Sequence, residues 1–196
     1  MKLTRNQKSI IVGTILGDGF LQKTGAKNAR LRLEHSNKQK DYLVWKMQSL
    51  PRLFQGKPVH LSRVHPKTKR TYHYVRAQSN TSPEIGKLRE VFYQDGKKTI
   101  PQDIEKYLDE LALAVWYMDD GYYYKRDKNS FIYLGKMNKD KAKIVSDAIK
   151  NKFNITTKVY DKKNKGLVLY FPVAETKKLH KIIRQYVIPL FSYKLG

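Results

Sequence analysis

Two nine-residue segments, one in each half of the chain, constrain its fold more than any other feature of the sequence. Each is an apolar stretch that ends in aspartate and glycine: residues 11–19 read IVGTILGDG and residues 113–121 read LAVWYMDDG. Gly13 and Gly17 are four residues apart, on one face of the predicted helix, so another backbone can approach closely. We therefore predict that the two helices pack together and carry Asp18 and Asp120 to the same end of the pair.

The elements around these segments recur in the same order, so the chain reads as a duplication. We predict an α+β fold with two pseudo-symmetric αββαββ(α) repeats, residues 1–98 and 99–196, each an antiparallel sheet backed by helices. Ser36 and Gln39 are expected to form a capping box. The predicted helices are residues 4–18, 36–50, 82–93, 104–120, 138–153 and 172–186. The predicted strands are residues 20–23, 28–35, 59–64, 71–78, 122–126, 131–136, 157–161 and 167–171.

Two carboxylates at two helix C-termini make an electrostatic conflict, because each C-terminus carries partial negative charge. Without a cation, one of the two carboxyl groups would have to be protonated. Oxygen ligands suit Mg²⁺, which resolves the conflict. A single Asp-Gly after a helix is more often a cap and turn, but a matched pair in a duplicated chain favours a metal site. Asp119 corresponds to Gly17, not to Asp18, so Asp120 is the predicted partner of Asp18.

The charge of the chain favours nucleic acid as its partner. Lys and Arg number 40 against 17 Asp and Glu, a formal net charge of +23 that repels itself unless an anion binds. The basic residues run through the whole chain with 14 Tyr, whereas a membrane-surface protein concentrates them on one amphipathic helix or tail. Magnesium beside such a surface predicts phosphodiester hydrolysis.

The open faces of the predicted sheets carry alternating basic, aromatic and amide side chains. A solvated strand would show the same local pattern, so the weight of the prediction lies in its recurrence on several strands. Arg suits guanine and Gln suits adenine in the major groove, while Lys mostly contacts phosphates. The predicted DNA-binding residues are Gln22, Lys23, Arg30, Arg32, Glu34, Tyr72, Tyr74, Arg76, Gln78, Tyr124, Lys125, Arg126, Lys158, Tyr160, Lys162 and Lys163.

Several classes of protein are excluded. The chain has no cysteine, which rules out a disulfide scaffold, a Cys-ligated zinc site and a thiol nucleophile. Its five histidines show no metal-ligand spacing, and no apolar run approaches the length of a membrane span. We expect an intracellular protein and do not assign its compartment. An initial Met1 without a splicing segment favours a free-standing product.

On the two segments the chain resembles the LAGLIDADG homing endonucleases, in their single-chain form with two motifs. The first segment matches the signature closely, and the second departs from it at Val115 and Asp119, where the signature has small residues. Residues 97–101 (KKTIP), 188–189 (IP) and 193–195 (YKL) are also similar to the intron-encoded yeast-mitochondrial type. The resemblance thus covers essentially the whole chain.

The resemblance implies a monomer whose two saddle-shaped sheets straddle double-stranded DNA, with no small-molecule substrate and no membrane. Asp18 and Asp120 would bind Mg²⁺ with the backbone carbonyls of Gly17 and Asp119, and Mn²⁺ or Ca²⁺ would substitute in binding. Lys98 and Lys194 resemble the two active-site lysines near the scissile phosphates. The family cleaves both strands across the minor groove and leaves short 3′ overhangs.

Two alternatives share the same scaffold. An RNA maturase would assist intron splicing, with cleavage weak or lost. A non-catalytic DNA-binding regulator would be expected to lose one of the two aspartates and to gain a further domain. Both aspartates are present, which favours the nuclease without excluding a dual role.

Overall fold

The structure, a computed structural model, describes residues 2–196. It divides into two compact units. The first contains the described residues up to Lys8 together with Asp18–Val91, and the second contains Ser9–Gly17 together with Phe92–Gly196. The two units are defined by which residues pack together, whereas the predicted repeats are defined by the duplicated order of elements in the sequence. The repeat boundary at residue 98 therefore stays a prediction.

Six α-helices and ten strands are present in the described part of the chain. In the first half they are α1 (Arg5–Leu16), β1 (Phe20–Lys23), β2 (Ala29–Ser36), α2 (Lys40–Ser49), β3 (Val59–Val64), β4 (Thr71–Gln78) and α3 (Pro83–Phe92). In the second half they are β5 (Tyr93–Gln94), β6 (Lys97–Lys98), α4 (Glu110–Asp120), β7 (Gly121–Tyr124), β8 (Asn129–Gly135), α5 (Lys139–Phe153), β9 (Lys158–Asp161), β10 (Leu167–Phe171) and α6 (Val173–Ile183). Short 3₁₀ helices lie at Asn37–Gln39, Ile104–Lys106, Lys163–Lys165, Arg184–Tyr186 and Pro189–Lys194.

Each unit is built on one four-stranded antiparallel sheet. The strand order is β1-β2-β4-β3 in the first unit and β7-β8-β10-β9 in the second, so the two sheets have the same topology. The predicted α+β fold class is confirmed by this arrangement. Among the described residues, none of the helices combines the length and the apolar character that a membrane crossing requires.

One face of each sheet is covered by helices and forms the core of its unit. In β2 burial alternates strictly, with Leu31 and Leu33 facing inward, and α2 packs over β2 and β4. In the second unit, α5 and α6 cover the sheet at Ile132 and Leu169. Each fully buried side chain of this size contributes about 1.5–3 kcal/mol. The opposite face of each sheet is left for solvent or a partner.

Two predicted helix starts are wrong. Ser36 makes no side-chain cap; it precedes a 3₁₀ turn, and α2 begins at Lys40. The segment from Ile104 is also a short 3₁₀ helix, and α4 begins after Asp109, whose carboxylate accepts a hydrogen bond from the Ala112 N–H. The last α-helix ends at Ile183, and a 3₁₀ helix continues from it to Tyr186, the predicted end. By contrast, the predicted Asn138 cap is confirmed, since its side chain accepts from the Lys141 N–H at 2.9 Å.

Candidate functional site

The C-terminal part of α1 and the helix α4 pack together within the second unit, and two glycines allow them to do so. A Cβ atom at position 13 would lie 2.4 Å from the Ala112 carbonyl oxygen and 2.7 Å from Val115 Cβ. A Cβ atom at position 17 would lie 2.5 Å from both Cβ and Oδ2 of Asp119. Real atoms do not approach so closely, so both positions require glycine. The close approach predicted at Gly13 and Gly17 is confirmed.

A buried polar contact fixes the register of the two helices. Ser9, in α1, donates from its hydroxyl to Oδ2 of Asp109 at 2.6 Å. The other carboxylate oxygen of Asp109 accepts from the Ala112 N–H at 2.9 Å and so caps α4. One side chain therefore begins α4 and holds it beside α1.

A lysine meets the C-terminal end of each of these helices. Lys98, in β6, donates from Nζ to the Gly17 carbonyl at 2.9 Å. Lys194 donates from Nζ to the carbonyls of Met118 at 2.7 Å and Asp119 at 3.5 Å. An ammonium group is favoured at such an end because the carbonyls there carry partial negative charge. Each carbonyl oxygen has two lone pairs, so one donated hydrogen bond leaves acceptor capacity.

Lys194 is buried, and a polar cluster holds its backbone in place. Tyr117, in α4, donates its hydroxyl hydrogen to the Lys194 carbonyl at 2.8 Å, and burial raises the pKa of this tyrosine well above its ordinary value. Nδ1 of His180 accepts from the Gly196 N–H at 3.0 Å, and Nε2 lies 3.1 Å from the Ser130 hydroxyl. Burial, followed by the nearby charge of Arg184, lowers the pKa of His180 to about 4.

Asp120 lines a basic cavity of about 700 Å³ in the second unit. Gly17 and Lys98 line the same cavity, and its remaining wall contributes three further lysines, Lys136, Lys141 and Lys165. The cavity thus has one half-buried carboxylate, that of Asp120, and four lysine ammonium groups in its lining. This combination suits an anionic ligand that binds together with a cation. Phosphate with a divalent metal ion has this chemistry.

Asp18 lies in the first unit, at the start of the turn that leads into β1. Its carboxylate is about half exposed, and Oδ2 lies 3.8 Å from Nδ1 of His35, a buried residue of β2. His35 was not predicted as a metal ligand, because the five histidines show no metal-ligand spacing along the chain. It could have been singled out as the polar residue on the inward, otherwise apolar face of β2.

The donor set of the predicted metal site fits a hard divalent cation. It consists of oxygen atoms: the carboxylates of Asp18 and Asp120 and the carbonyls of Gly17 and Asp119. The space beside the Gly17 backbone is occupied by the Asp119 carboxylate, so a Cβ atom at position 17 would displace it. The Asp119 carboxylate therefore lies directly beside Gly17 within the second unit.

The open sheet face of the first unit is organised around one acidic side chain. Glu34 pairs with Arg76 at 2.7 Å and Arg63 at 2.8 Å, with Arg32 at 3.9 Å. Burial raises the pKa of Glu34, but hydrogen bonds from Arg76 and Arg63 outweigh this effect and hold it below its ordinary value. Nearby, Arg30 donates to the Gln78 amide oxygen at 3.3 Å. The arginine side chains are therefore held in place before any partner binds.

The corresponding face of the second unit is aromatic. The Tyr170 ring lies 5.2 Å from that of Phe131 and 5.3 Å from that of Tyr160. Nζ of Lys162, in the β9–β10 turn, lies 5.1 Å from the Phe131 ring centre. Lys158 is paired with Tyr170 across the sheet. This face offers apolar and stacking contacts where the first unit offers charged ones.

Most of the other predicted DNA-binding residues lie on these two faces or in their turns. Lys23 does not, since it follows Gln22 in β1 and therefore points to the opposite side, where it lines a small cavity with Gly86. Three further residues of these faces were not predicted from the sequence: Arg63, Phe131 and Tyr170. Tyr72 and Tyr74 share the outward face of β4, Tyr124 is in β7, Lys125 and Arg126 are in the β7–β8 turn, and Lys163 is in the β9–β10 turn.

The sequence matches known proteins along nearly its whole length. Residues 8–179 match the profile of the LAGLIDADG DNA endonuclease family. The protein RecA of Mycolicibacterium flavescens is 29% identical over 209 residues, which cover 99% of this chain and 47% of that protein. The probable intron-encoded endonuclease 1 of Wickerhamomyces canadensis is 28% identical, and the alignment covers 98% of this chain and 85% of that protein.

The cytochrome b mRNA maturase bI2 of Saccharomyces cerevisiae is 31% identical, with 99% of this chain and 48% of that protein covered. The chain thus spans about half the length of several relatives that it matches, RecA among them. Of solved structures, the homing endonuclease I-WcaI bound to its DNA recognition sequence has a TM-score of 0.92 at 26% identity, covering 100% of this chain and 88% of that one. The complex of I-DmoI with DNA and Mn, at a TM-score of 0.55 and 17% identity, shares the fold.

Proposed function

The chain belongs to the LAGLIDADG DNA endonuclease family, and from this premise we propose that it is a Mg²⁺-dependent, site-specific endonuclease that cuts both strands of duplex DNA. The resemblance seen in the two motif segments is confirmed by the family match and by the similarity to I-WcaI. The observation that carries the proposal is the pair of motif helices, packed at Gly13 and Gly17, with a lysine at the end of each.

In the proposed mechanism the carboxylates of Asp18 and Asp120 would hold the metal with the carbonyls of Gly17 and Asp119. When bound, a divalent ion would supply an activated water molecule and charge stabilisation at the leaving oxygen. The residues of the chain supply the surroundings of that chemistry. Packing at Gly13 fixes the α1–α4 spacing, and the Ser9–Asp109 contact prevents the helices from sliding along each other.

Lys98 and Lys194 have the charge to stabilise the transition state. Each ammonium group is already oriented by a carbonyl at a helix end, so little rearrangement is needed when a scissile phosphate arrives. Lys98 lines the cavity of Asp120, where it can hold a water molecule or neutralise charge that develops on the phosphate. We propose that one lysine serves each strand, with cutting across the minor groove to leave short 3′ overhangs.

We propose that the two open sheet faces bind the target duplex. The similar structure of I-WcaI is a complex with its DNA recognition sequence. Duplex DNA is also a suitable partner for a chain with 23 excess positive charges. The arginine face of the first unit has side chains that can read guanine, and the aromatic face of the second can contact thymine methyl groups. A single chain that carries both motifs acts as a monomer.

A plasmid library with randomised sites tests the proposal. With Mg²⁺ the protein should linearise a subset of plasmids that share a sequence, and with EDTA it should linearise none. Sequencing the cut ends gives the site and the overhang. Binding to DNA without any cutting would overturn the nuclease assignment in favour of a regulator.

The 31% identity to a cytochrome b mRNA maturase supports a second candidate function, assistance to intron splicing. A maturase binds structured RNA in preference to duplex DNA. Competition between a folded intron RNA and random duplex DNA of equal length, at fixed salt concentration, separates the two functions. Tighter binding to duplex DNA is the result that we expect.

A further inference from the structure

A fully buried lysine lies behind the first carboxylate of the proposed site. Lys46, in α2, has no exposed surface, although lysine is among the residue types least often found inside proteins. It lies one helical turn after Tyr42, and its Nζ is 4.3 Å from the centre of that ring. Burying an ammonium group is costly unless its surroundings compensate it.

The Lys46 ammonium group faces a buried histidine. Its Nζ lies 3.4 Å from Nε2 of His35, which is on the core-facing side of β2. The Tyr42 ring packs 5.1 Å from the imidazole and limits its rotation. An ammonium group has three donors and no acceptor, so Nε2 must accept. The proton of the neutral imidazole is then on Nδ1.

The other ring nitrogen faces Asp18. Nδ1 of His35 lies 3.8 Å from Oδ2 of Asp18, within ion-pair distance, so a hydrogen on Nδ1 would interact favourably with this carboxylate. The three side chains form a line, from Lys46 through His35 to Asp18, that lies wholly within the first unit. An outer contact of this kind fixes the orientation of a metal-binding carboxylate and strengthens its hold on the ion.

We propose that Lys46 and His35 are positioning residues for Asp18. Lys46 holds His35 in the Nδ1–H tautomer, and His35 orients the Asp18 carboxylate toward a divalent cation. The inference rests on the proposed function for the role of Asp18, whereas the tautomer of His35 is a property of the folded first unit alone.

His180 provides an internal reference with the opposite tautomer. Its Nδ1 accepts from the Gly196 N–H at 3.0 Å, so its proton lies on Nε2. Both histidines are buried, and they should give opposite patterns of ring-nitrogen chemical shifts in one spectrum.

Nitrogen-15 NMR of the imidazole rings at pH 7.5 tests the tautomer. In the wild-type protein His35 should show Nδ1–H and His180 should show Nε2–H. Lys46→Met removes the donor with little change of volume and should shift His35 toward Nε2–H while His180 is unchanged. Lys40→Met removes one charge from the exposed side of the same helix and should change neither. An Nε2–H signal for His35 in the wild-type protein would overturn the inference.

Titration with Mn²⁺ alone tests the link to Asp18, with paramagnetic broadening of the Asp18 backbone amide as the readout. Lys46→Met and His35→Phe should each raise the Mn²⁺ concentration at half-maximal broadening about tenfold or more, and Lys40→Met should not. Thermal melting shows whether each variant is folded. Equal Mn²⁺ affinity in wild type and folded Lys46→Met would contradict the proposal.

The two proposals can fail separately. If the His35 tautomer and the loss of Mn²⁺ affinity are both observed and no DNA is cut, the nuclease assignment fails while the positioning role of Lys46 and His35 stands. If the protein cuts DNA but His35 carries its proton on Nε2, the positioning role of Lys46 and His35 fails and the nuclease assignment stands.

Discussion

At the scale of single residues, Gly13 shows how a missing side chain sets the distance between two helices. In a helix exposed to solvent, Gly→Ala would stabilise by about 1 kcal/mol. Here the added Cβ would meet the Ala112 carbonyl oxygen at 2.4 Å. We expect Gly13→Ala to lower the free energy of unfolding by about 1–3 kcal/mol, measured by urea denaturation. Gly56→Ala is the control, because a Cβ there would meet no atom within 4 Å. Equal stability of the two variants would contradict the packing.

His180 makes the stability of the fold depend on pH. Its pKa is about 4 in the folded protein against 6.5 for the unfolded chain, so between these values the unfolded state binds more protons. Its contribution is present above pH 6.5 and is lost as the pH falls toward 4, up to about 3 kcal/mol. Urea denaturation between pH 7.5 and 4.5 measures the effect. The free energy of unfolding of His180→Gln should fall less steeply with decreasing pH than that of wild type. The same pH dependence in both proteins would contradict the lowered pKa of His180.

At the scale of elements, Glu34 joins three strands through their arginines. It sits on β2, pairs with Arg76 on β4 and Arg63 on β3, and so holds the sheet face ready for a partner. We expect Glu34→Gln to lower the preference for the favoured base at the contacted positions about tenfold, while total DNA affinity is unchanged or higher. Base preference is read from the cut sites of the randomised library. Glu84→Gln, in α3, is the matched control, and an unaltered site profile for Glu34→Gln would count against the role.

The strands could be predicted well from the sequence, because alternation of burial is a local signal. Val59–Val64 and Thr71–Gln78 have the bounds that were predicted. The β5–β6 hairpin was missed, although Asp95 and Gly96 carry its signal: both have positive φ, 49° and 75°, as a two-residue hairpin turn requires. The start of α4 was placed too early because the apolar Ile104 fits a helical period while in fact it sits in a 3₁₀ turn.

The candidate site was only partly predictable, for a physical reason. Asp18 and Asp120 could be selected because two segments repeat, and Gly13 and Gly17 because small residues recur on one helix face. Lys98 and Lys194 came from family resemblance, since 40 basic residues give no basis for choosing two. His35 could have been noticed as the polar residue on the inward face of β2. Lys46 could not be chosen, because burial of a lysine depends on which helix covers which sheet.

At the scale of the whole molecule, the net charge of +23 should dominate binding to DNA. If about 6–10 phosphates are contacted, affinity should fall about 10³-fold or more between 50 and 200 mM salt. Fluorescence anisotropy with a random 30-base-pair duplex measures this slope. Lys162→Gln combined with Lys163→Gln should make the slope shallower by about two, if both contact phosphates. A flat response to salt would contradict the proposed DNA-binding surface.

The proposed cleavage depends on two carboxylates, one from each motif segment, that serve one metal-dependent reaction. Cleavage of the selected site by Asp18→Asn and Asp120→Asn, with DNA binding measured in Ca²⁺, tests this most directly. Asp147→Asn, on the exposed side of α5, is the matched control. We predict that each motif variant loses at least about 10²-fold in cleavage rate while it binds DNA as wild type does, and that the control cuts normally. Wild-type cleavage by either motif variant would contradict the account.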